Sequence, residues 1–307
     1  MPNLRDIKKR INSVQSTKQI TRTMEMVASA KIRHSFERIQ AAQPYATCMN
    51  ETLASLAKNT SSNAHPLLSR RDDVKNVIVI VVVSDRGLAG GFNSNVLREF
   101  EHVLAAKEAE GAQVGVIACG KKALGYLSYR KITPLLTFTD LSADPTFEEA
   151  KEIASYCMAQ FTEGDVDEVE LIYNHAVNSA TQKLITTEIL PIDASYLAGE
   201  KTDGEAEAPA APSGSEDKGP QGEYEFEPSS EEVLGQLLPA YVESKVFTAL
   251  IDSAAGEQGA RRKAMMAATD NATEMLDTLN RLYNTVRQSA ITTELNEIVG
   301  GAAALED

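Results

Sequence analysis

Between Met265 and Ala290 the chain repeats apolar or small residues at alternating steps of four and three: Met265, Thr269, Ala272, Leu276, Leu279, Tyr283, Val286 and Ala290. A period of ~3.5 residues is a coiled-coil seam, and only a second helix can cover it. Asn271, Glu274, Asp277, Arg281 and Arg287 fall off the seam, so the opposite face is expected to be solvated. Beyond Ala290 the pattern changes to Ile291, Leu295, Ile298 and Val299, then Gly300-Gly301, three alanines and Leu305. An end so apolar, small-featured and weakly charged suits the inside of another protein better than open water.

The covering helix is expected at the other end of the sequence. Residues 3–58 read as one long helix, with Asn3 as its cap and a single proline, Pro44. At ~1.5 Å per residue it would run about 80 Å. Its stripe is Ile7, Ile11, Val14, Lys18, Thr21, Glu25, Ala28, Ile32 and Ile39, poor in large aliphatics at its middle. Such a thin seam excludes a tight two-stranded zipper and fits antiparallel pairing with the C-terminal helix. Residues 1–40 hold nine Lys/Arg against three Asp/Glu, a local surplus of six positives that suits an acidic partner. The plain alternative is a long surface helix with a basic face.

Between the two helices the period changes. After a polar break with Pro66, residues 77–83 are an unbroken β-branched run, the mark of a strand buried on both faces. A glycine-rich turn, Ser84 to Asn93, leads into a helix ending near Gly111. Strands are expected at 114–119, 135–138, 169–177 and 183–192, and helices at 121–129 and 146–162. The last two strands, joined by a short polar turn, should be antiparallel. The alternation predicts an α/β layer of about five strands, mostly parallel. From Ser229 the chain reads as helix again, with bends or weak turns expected at Pro239, Gly256 and Gly259.

Catalytic chemistry is thinly supported. The glycine-rich turn lacks the Gly-Lys-Ser/Thr ending of a phosphate loop and a well-placed Gly-x-Gly-x-x-Gly, so its glycines are read as shaping a tight strand-to-helix turn. His34, His65, His102 and His175 show no metal-ligand spacing, and Cys48, Cys119 and Cys157 are far apart. Each histidine is read as a satisfied surface or core residue. A net charge of -14 argues against nucleic acid as a partner. Three widely spaced cysteines suggest a reducing compartment, and no signal peptide or run of ~18 apolar residues stands out. Residues 199–222 hold six acids, two lysines and three prolines with no large apolar residue, and read as a flexible acidic insert.

Several stretches resemble the gamma subunit of bacterial F-type, proton-translocating ATP synthases. At the C-terminus they are Arg287-Gln288-Ser289, Ile291-Thr292-Thr293-Glu294, Glu297 and Gly301-Ala302-Ala303-Ala304; near the start, Gln19-Ile20-Thr21, Met24 to Ala28 and Pro44-Tyr45. Ser84 to Leu88 with Gly90-Gly91 matches the family's turn, with Ala89 where the family usually has Cys. Tyr224 to Pro228, Tyr241 to Ser244 and Ala267 to Ala272 are similar too. The insert 199–222 departs from the pattern, where the family has a short connection.

The resemblance implies a long antiparallel coiled coil of the N- and C-terminal helices with an inserted Rossmann-like α/β domain. The implied division is 1–58 shaft helix, 74–195 inserted domain, 196–223 insert and 224–307 shaft helix. The implied function is the central rotor stalk, itself non-catalytic, coupling rotation of a proton-driven membrane ring to the catalytic hexamer. Partners would be the alpha, beta and epsilon subunits and the c-subunit ring, at the cytoplasmic face of the bacterial membrane, with no cofactor, no metal and no membrane span. Arg287, Gln288, Thr292 and Met24 would contact beta subunits; Tyr224 and Glu227 would lie at the foot, beside epsilon and the ring. Two other classes compete: a coiled-coil adaptor unrelated to rotation, and a Rossmann-like nucleotide-binding enzyme.

Overall fold

The computed structural model describes residues 3–58, 65–71, 73–141, 144–192 and 229–306. They form two compact units: residues 29–261, and residues 1–28 with 262–307. Two helices contribute to both units, α1 (Leu4–Lys58) and α5 (Ser230–Glu306).

In the unit of residues 29–261, five strands carry the fold: β1 (Asn76–Val82), β2 (Gln113–Cys119), β3 (Leu136–Phe138), β4 (Glu168–Ala176) and β5 (Gln182–Leu190). Their order is β3-β2-β1-β4-β5, parallel throughout except for the antiparallel β4–β5 hairpin. Helices α2 (Phe92–Ala109), α3 (Lys121–Arg130) and α4 (Phe147–Glu163) make the crossovers. The β-branched run of β1 divides between two cores. Ile78, Ile80 and Val82 pack with Ile153 and Phe161 of α4, Leu53 of α1 and Leu238 of α5. Val77, Val79, Val81 and Val83 pack with Val96 and Phe100 of α2 and Leu127 of α3. Each such side chain, fully buried, contributes ~1.5–3 kcal/mol, so the central strand alone anchors both layers.

Local chemistry sets the ends. Thr146 and Glu149 form a reciprocal capping box at the start of α4, and Gly164 closes it with φ +93°. Gly120, at φ +102°, begins α3 where a Cβ would stand 2.2 Å from the Val83 carbonyl oxygen. Cys119 and Cys157 are buried, and burial pushes the Cys157 thiol up to about 12, which leaves it chemically quiet.

Asp167 ties the start of β4 to the approach to β1. Its carboxylate accepts from Arg71 Nη1 (2.6 Å), Lys75 N (2.8 Å) and Asn76 N (2.9 Å). Burial alone would raise its pKa; the Arg71 guanidinium and the two backbone N–H groups outweigh that and hold it below its usual value. A depressed folded-state pKa gives stability that is present above the unfolded value, ~3.9, and lost as pH falls through the folded one. Asp167→Asn is therefore expected to lower stability by about 1–3 kcal/mol at neutral pH. It should also flatten the acid limb of a plot of melting temperature against pH. A mutant curve parallel to the native one below pH ~4 would refute this.

In the other unit, α1 and α5 pair as an antiparallel coil. The buried and half-buried positions include Ile7, Ile11, Val14, Lys18, Thr21, Glu25 and Ala28 on α1. On α5 they include Met265, Thr269, Ala272, Leu276, Leu279, Tyr283, Val286 and Ala290. This is the stripe the period predicts. Thr21 Oγ1 and Thr269 Oγ1 meet at 2.8 Å within the thin seam. Asn3 caps α1 through Arg5 N (3.1 Å), as expected.

At the expected weak points Pro239, Gly256 and Gly259 the helix is not interrupted: α5 is a single element of 77 residues. Pro239 forfeits a backbone hydrogen bond, yet its neighbours Leu234, Leu238, Tyr241 and Val242 are all buried. Tertiary burial of that face outweighs the local cost. The two glycines serve packing, described below. The helix starts at Ser230 behind a Ser229 cap, whose Oγ accepts from Glu232 N at 3.2 Å. Tyr224, Glu227 and the insert 199–222 lie outside the described residues.

Candidate functional site

From Ile291 to Val299 every side chain of α5 is exposed, on all faces of the helix. Ile291, Leu295, Ile298 and Val299 are 47–68% exposed. The seam stops at Ala290, and past it the helix offers apolar surface with no matching stripe on α1. Lone exposed apolar residues are ordinary, but four within nine residues at a helix end mark a surface for another chain.

Arg287, Gln288 and Thr292 stand immediately before and within this segment, all exposed. Thr292 Oγ1 donates to the Gln288 backbone carbonyl at 2.9 Å, and the helix alone spaces the three positions over two turns. Met24 is half-buried on α1 and is not brought to them. Counting ~1.5 Å per residue from the Thr21–Thr269 pair, it lies about 30 Å along the coil from Arg287. Towards the start of α1 from Met24, Lys8, Lys9, Arg10 and Arg22 are exposed, so this end of the helix carries positive charge.

The glycine-rich turn occupies the carboxyl end of β1, next to β4. In a parallel sheet whose strand order reverses there, this is where a ligand crevice opens. Here the chain fills it. Asn93 Oδ1 accepts from Ser84 N and Ser84 Oγ, both at 2.9 Å, and Asn174 Nδ2 donates to the Phe92 carbonyl at 3.0 Å. Arg261 of α5 donates to the Gly87 carbonyl at 3.4 Å and pairs with Glu257 at 2.5 Å. Sequence reasoning identified the turn but missed its plug, because Arg261 is 174 residues further on.

A cavity of about 270 Å³ lies in the same unit between α1, the β4–β5 hairpin and α5. Ile39, Met49, Leu171, Tyr173 and Ile185 give it an apolar lining. Of its charged groups, His175 and Asp252 bond to each other, and Lys245 reaches the Glu188 carbonyl at 3.4 Å. His175 is thus a core histidine with a partner. Among the described residues no three His, Cys, Asp or Glu side chains gather as a metal site, and no helix is long and apolar enough to cross a membrane.

Comparison with known proteins gives one answer along the whole length. The ATP synthase family model matches residues 3–305. The chain is 42% identical to the ATP synthase gamma chain of Heliobacterium modesticaldum over 305 residues, 99% of this chain and all of that one. It is 41% identical to that of Desulforamulus reducens over 307 residues, the full length of both. Among solved structures, the central stalk/c-ring of Tetrahymena thermophila mitochondrial ATP synthase is similar at 25% identity, with a TM-score of 0.56 over 81% of this chain and 99% of that one. A chain of the Euglena gracilis mitochondrial enzyme, 21% identical, shares the fold with a TM-score of 0.64 over 98% of this chain and 94% of that one. Full-length identity above 40%, a two-helix coil ending in a bare apolar tip and a crevice plugged by the chain's own helix converge: the chain belongs to the gamma-chain family of ATP synthase.

Proposed function

We propose that the chain is the central rotor stalk of a bacterial F-type ATP synthase and carries no catalytic residue itself. The observation that supports this best is the tip of α5, exposed on every face from Ile291 to Val299 with Ile291, Leu295, Ile298 and Val299 along one of them, at the end of a coil that otherwise buries its seam. A shaft acts only through contact energies that differ between states of the subunits around it. It needs length, asymmetry and a surface that does not interlock. Ala290, Ile291, Leu295, Ile298 and Val299 offer small and aliphatic groups of that kind. On this reading the tip turns inside the alternating alpha and beta subunits, whose beta members hold the catalytic sites. The epsilon subunit and the c ring take the foot.

Arg287, Gln288 and Thr292 are assigned to hydrogen bonds with a beta subunit, and Met24 to a second beta contact lower on the coil. Tyr224 and Glu227 are assigned to the foot. The working division remains 1–58, 74–195, 196–223 and 224–307. The protein would sit peripherally at the cytoplasmic face of the cell membrane, held there through its partners.

The test is co-purification. A tagged chain expressed with its cognate subunits is expected to bring down an alpha–beta hexamer that hydrolyses ATP, and vesicles carrying the whole complex should pump protons when given ATP. Recovery of the chain without a hexamer would favour a coiled-coil adaptor. Nucleotide binding by the isolated chain would favour the enzyme reading.

A further inference from the structure

Nine consecutive residues of α5, Ile251 to Gly259, are buried on every face of the helix. Their composition is not that of a core helix: Asp252, Ser253, Glu257 and Gln258 are among them, each 5% exposed or less. A helix buried all round is normally apolar all round. Burying polar groups is costly unless they are bonded, so a stretch like this is held by specific contacts.

Those contacts come from two sides. Asp252 bonds the His175 ring and accepts from Ala176 N at 2.9 Å, both at the end of β4. One turn on, a Cβ at Gly256 would stand 3.3 Å from both the Asn174 carbonyl oxygen and Gln182 Cγ. At Gly259 it would stand 2.6 Å from Gln182 Nε2 and 3.1 Å from the Ser179 carbonyl oxygen. Positions 252, 256 and 259 share a helix face, so the β4–β5 hairpin lies directly on the backbone of α5. Positions 257 and 261 fall on a face more than ~100° away, counting ~100° per residue. From that face Arg261, braced by Glu257, holds the Gly87 carbonyl beyond β1.

We infer that this collar is a torque grip, by which the five-stranded sheet and α5 are made to turn as one body. The inference rests on the rotor reading. A lone α-helix twists under load because only its own backbone bonds resist. Contacts on two well-separated faces oppose rotation in both senses, and hydrogen bonds resist it better than sliding apolar contact, because they are directional. The segment assigned to the foot joins β5 to α5, so a force applied there divides between sheet and helix. The grip recombines the two before α5 leaves this unit. His175, Asp252, Gly256, Gly259 and Arg261 are positioning residues, and none is assigned a contact with another subunit.

The experiment uses the whole complex in inverted membrane vesicles. With the native chain, ATP hydrolysis and ATP-driven proton pumping are measured first; failure of both would count against the rotor reading itself. Asp252→Ala combined with Arg261→Ala is expected to keep hydrolysis within about twofold while pumping falls fivefold or more. A lock then tests the cause. In that background, Gln182→Cys with Gly256→Cys places the new sulfur at the Gln182 Cγ position, 3.3 Å from the opposite Cβ, close to the ~3 Å that disulfide geometry requires. Oxidation should form the bond and restore pumping at least twofold, and dithiothreitol should remove the gain. Where the double variant does not assemble, Asp252→Asn, which still accepts from Ala176 N, is read in the same assay and should lose at least twofold more pumping than hydrolysis. Equal loss of pumping and hydrolysis, or a formed disulfide that restores nothing, would overturn the grip.

Discussion

Alanine at both Arg287 and Gln288 is expected to lower ATP hydrolysis by the reconstituted complex about tenfold or more, with the purified chain keeping its helicity. Both side chains are exposed and off the seam, so the coil does not depend on them. Their loss should be silent in circular dichroism and in the melting temperature of the isolated protein. Inside a mostly apolar sleeve a guanidinium bonded to a neighbouring chain is worth far more than on an open surface, and charge-assisted bonds are the strong ones. Removing one such bond from a contact made in only some rotational states costs roughly a decade in rate. Normal turnover by the double variant would remove the beta-subunit assignment of these residues and leave them as solvated helix positions.

The second large effect is on stability. Gly120→Val should cost about 3–5 kcal/mol and lower the melting temperature by roughly 10 °C, because no side chain fits where it is placed. Its φ of +102° strains any L-residue, and the new Cβ would meet the Val83 carbonyl oxygen at 2.2 Å, a backbone atom in the central strand layer. Its own N–H is committed to the Phe138 carbonyl at 2.7 Å, so the turn has no freedom to move away. Gly125, five residues on and inside α3, is the control. A Cβ there meets nothing within 4 Å, and Gly125→Ala should stabilise by ~0.5–1 kcal/mol through helix propensity. Opposite signs at the two glycines are the result to look for in thermal melts. A mild effect at Gly120 would show that the β1–α2 and β2–α3 turns can separate.

The helical and strand periods were legible because each buries one physical face. The seam from Ile7 to Ala28 and from Met265 to Ala290 reappears residue for residue as buried or half-buried positions. The β-branched run 77–83 became the central strand for the same reason, with apolar neighbours on both sides. What escaped was written across distance. Gly256 and Gly259 look like helix breakers when only their own helix is considered; their reason is a hairpin whose contacting residues lie 74 or more positions upstream and need the space. The burial of Asp252, Glu257 and Arg261 leaves no mark in the sequence, since a buried polar helix face has no period of its own. Pro239 does not interrupt the helix, because propensity is local and the packing that overrides it is not. The candidate contact residues are a different case. Arg287, Gln288, Thr292 and Met24 are defined by chains that this sequence does not contain, so only the resemblance could single them out.

The hydroxyl pair of Thr21 and Thr269 has a consequence for angular accuracy. Methyl and methylene groups in a thin seam tolerate small axial slips, since one aliphatic contact replaces another at little cost. Two hydroxyls facing each other at 2.8 Å do not. Sliding one helix by a single residue would break that bond and turn the opposing face by ~100°. The pair therefore adds a polar preference for one register between two helices whose seam is thin there. What a stalk delivers is an angle. All the seam contacts set that angle together, and this pair adds a directional one where large aliphatics are fewest.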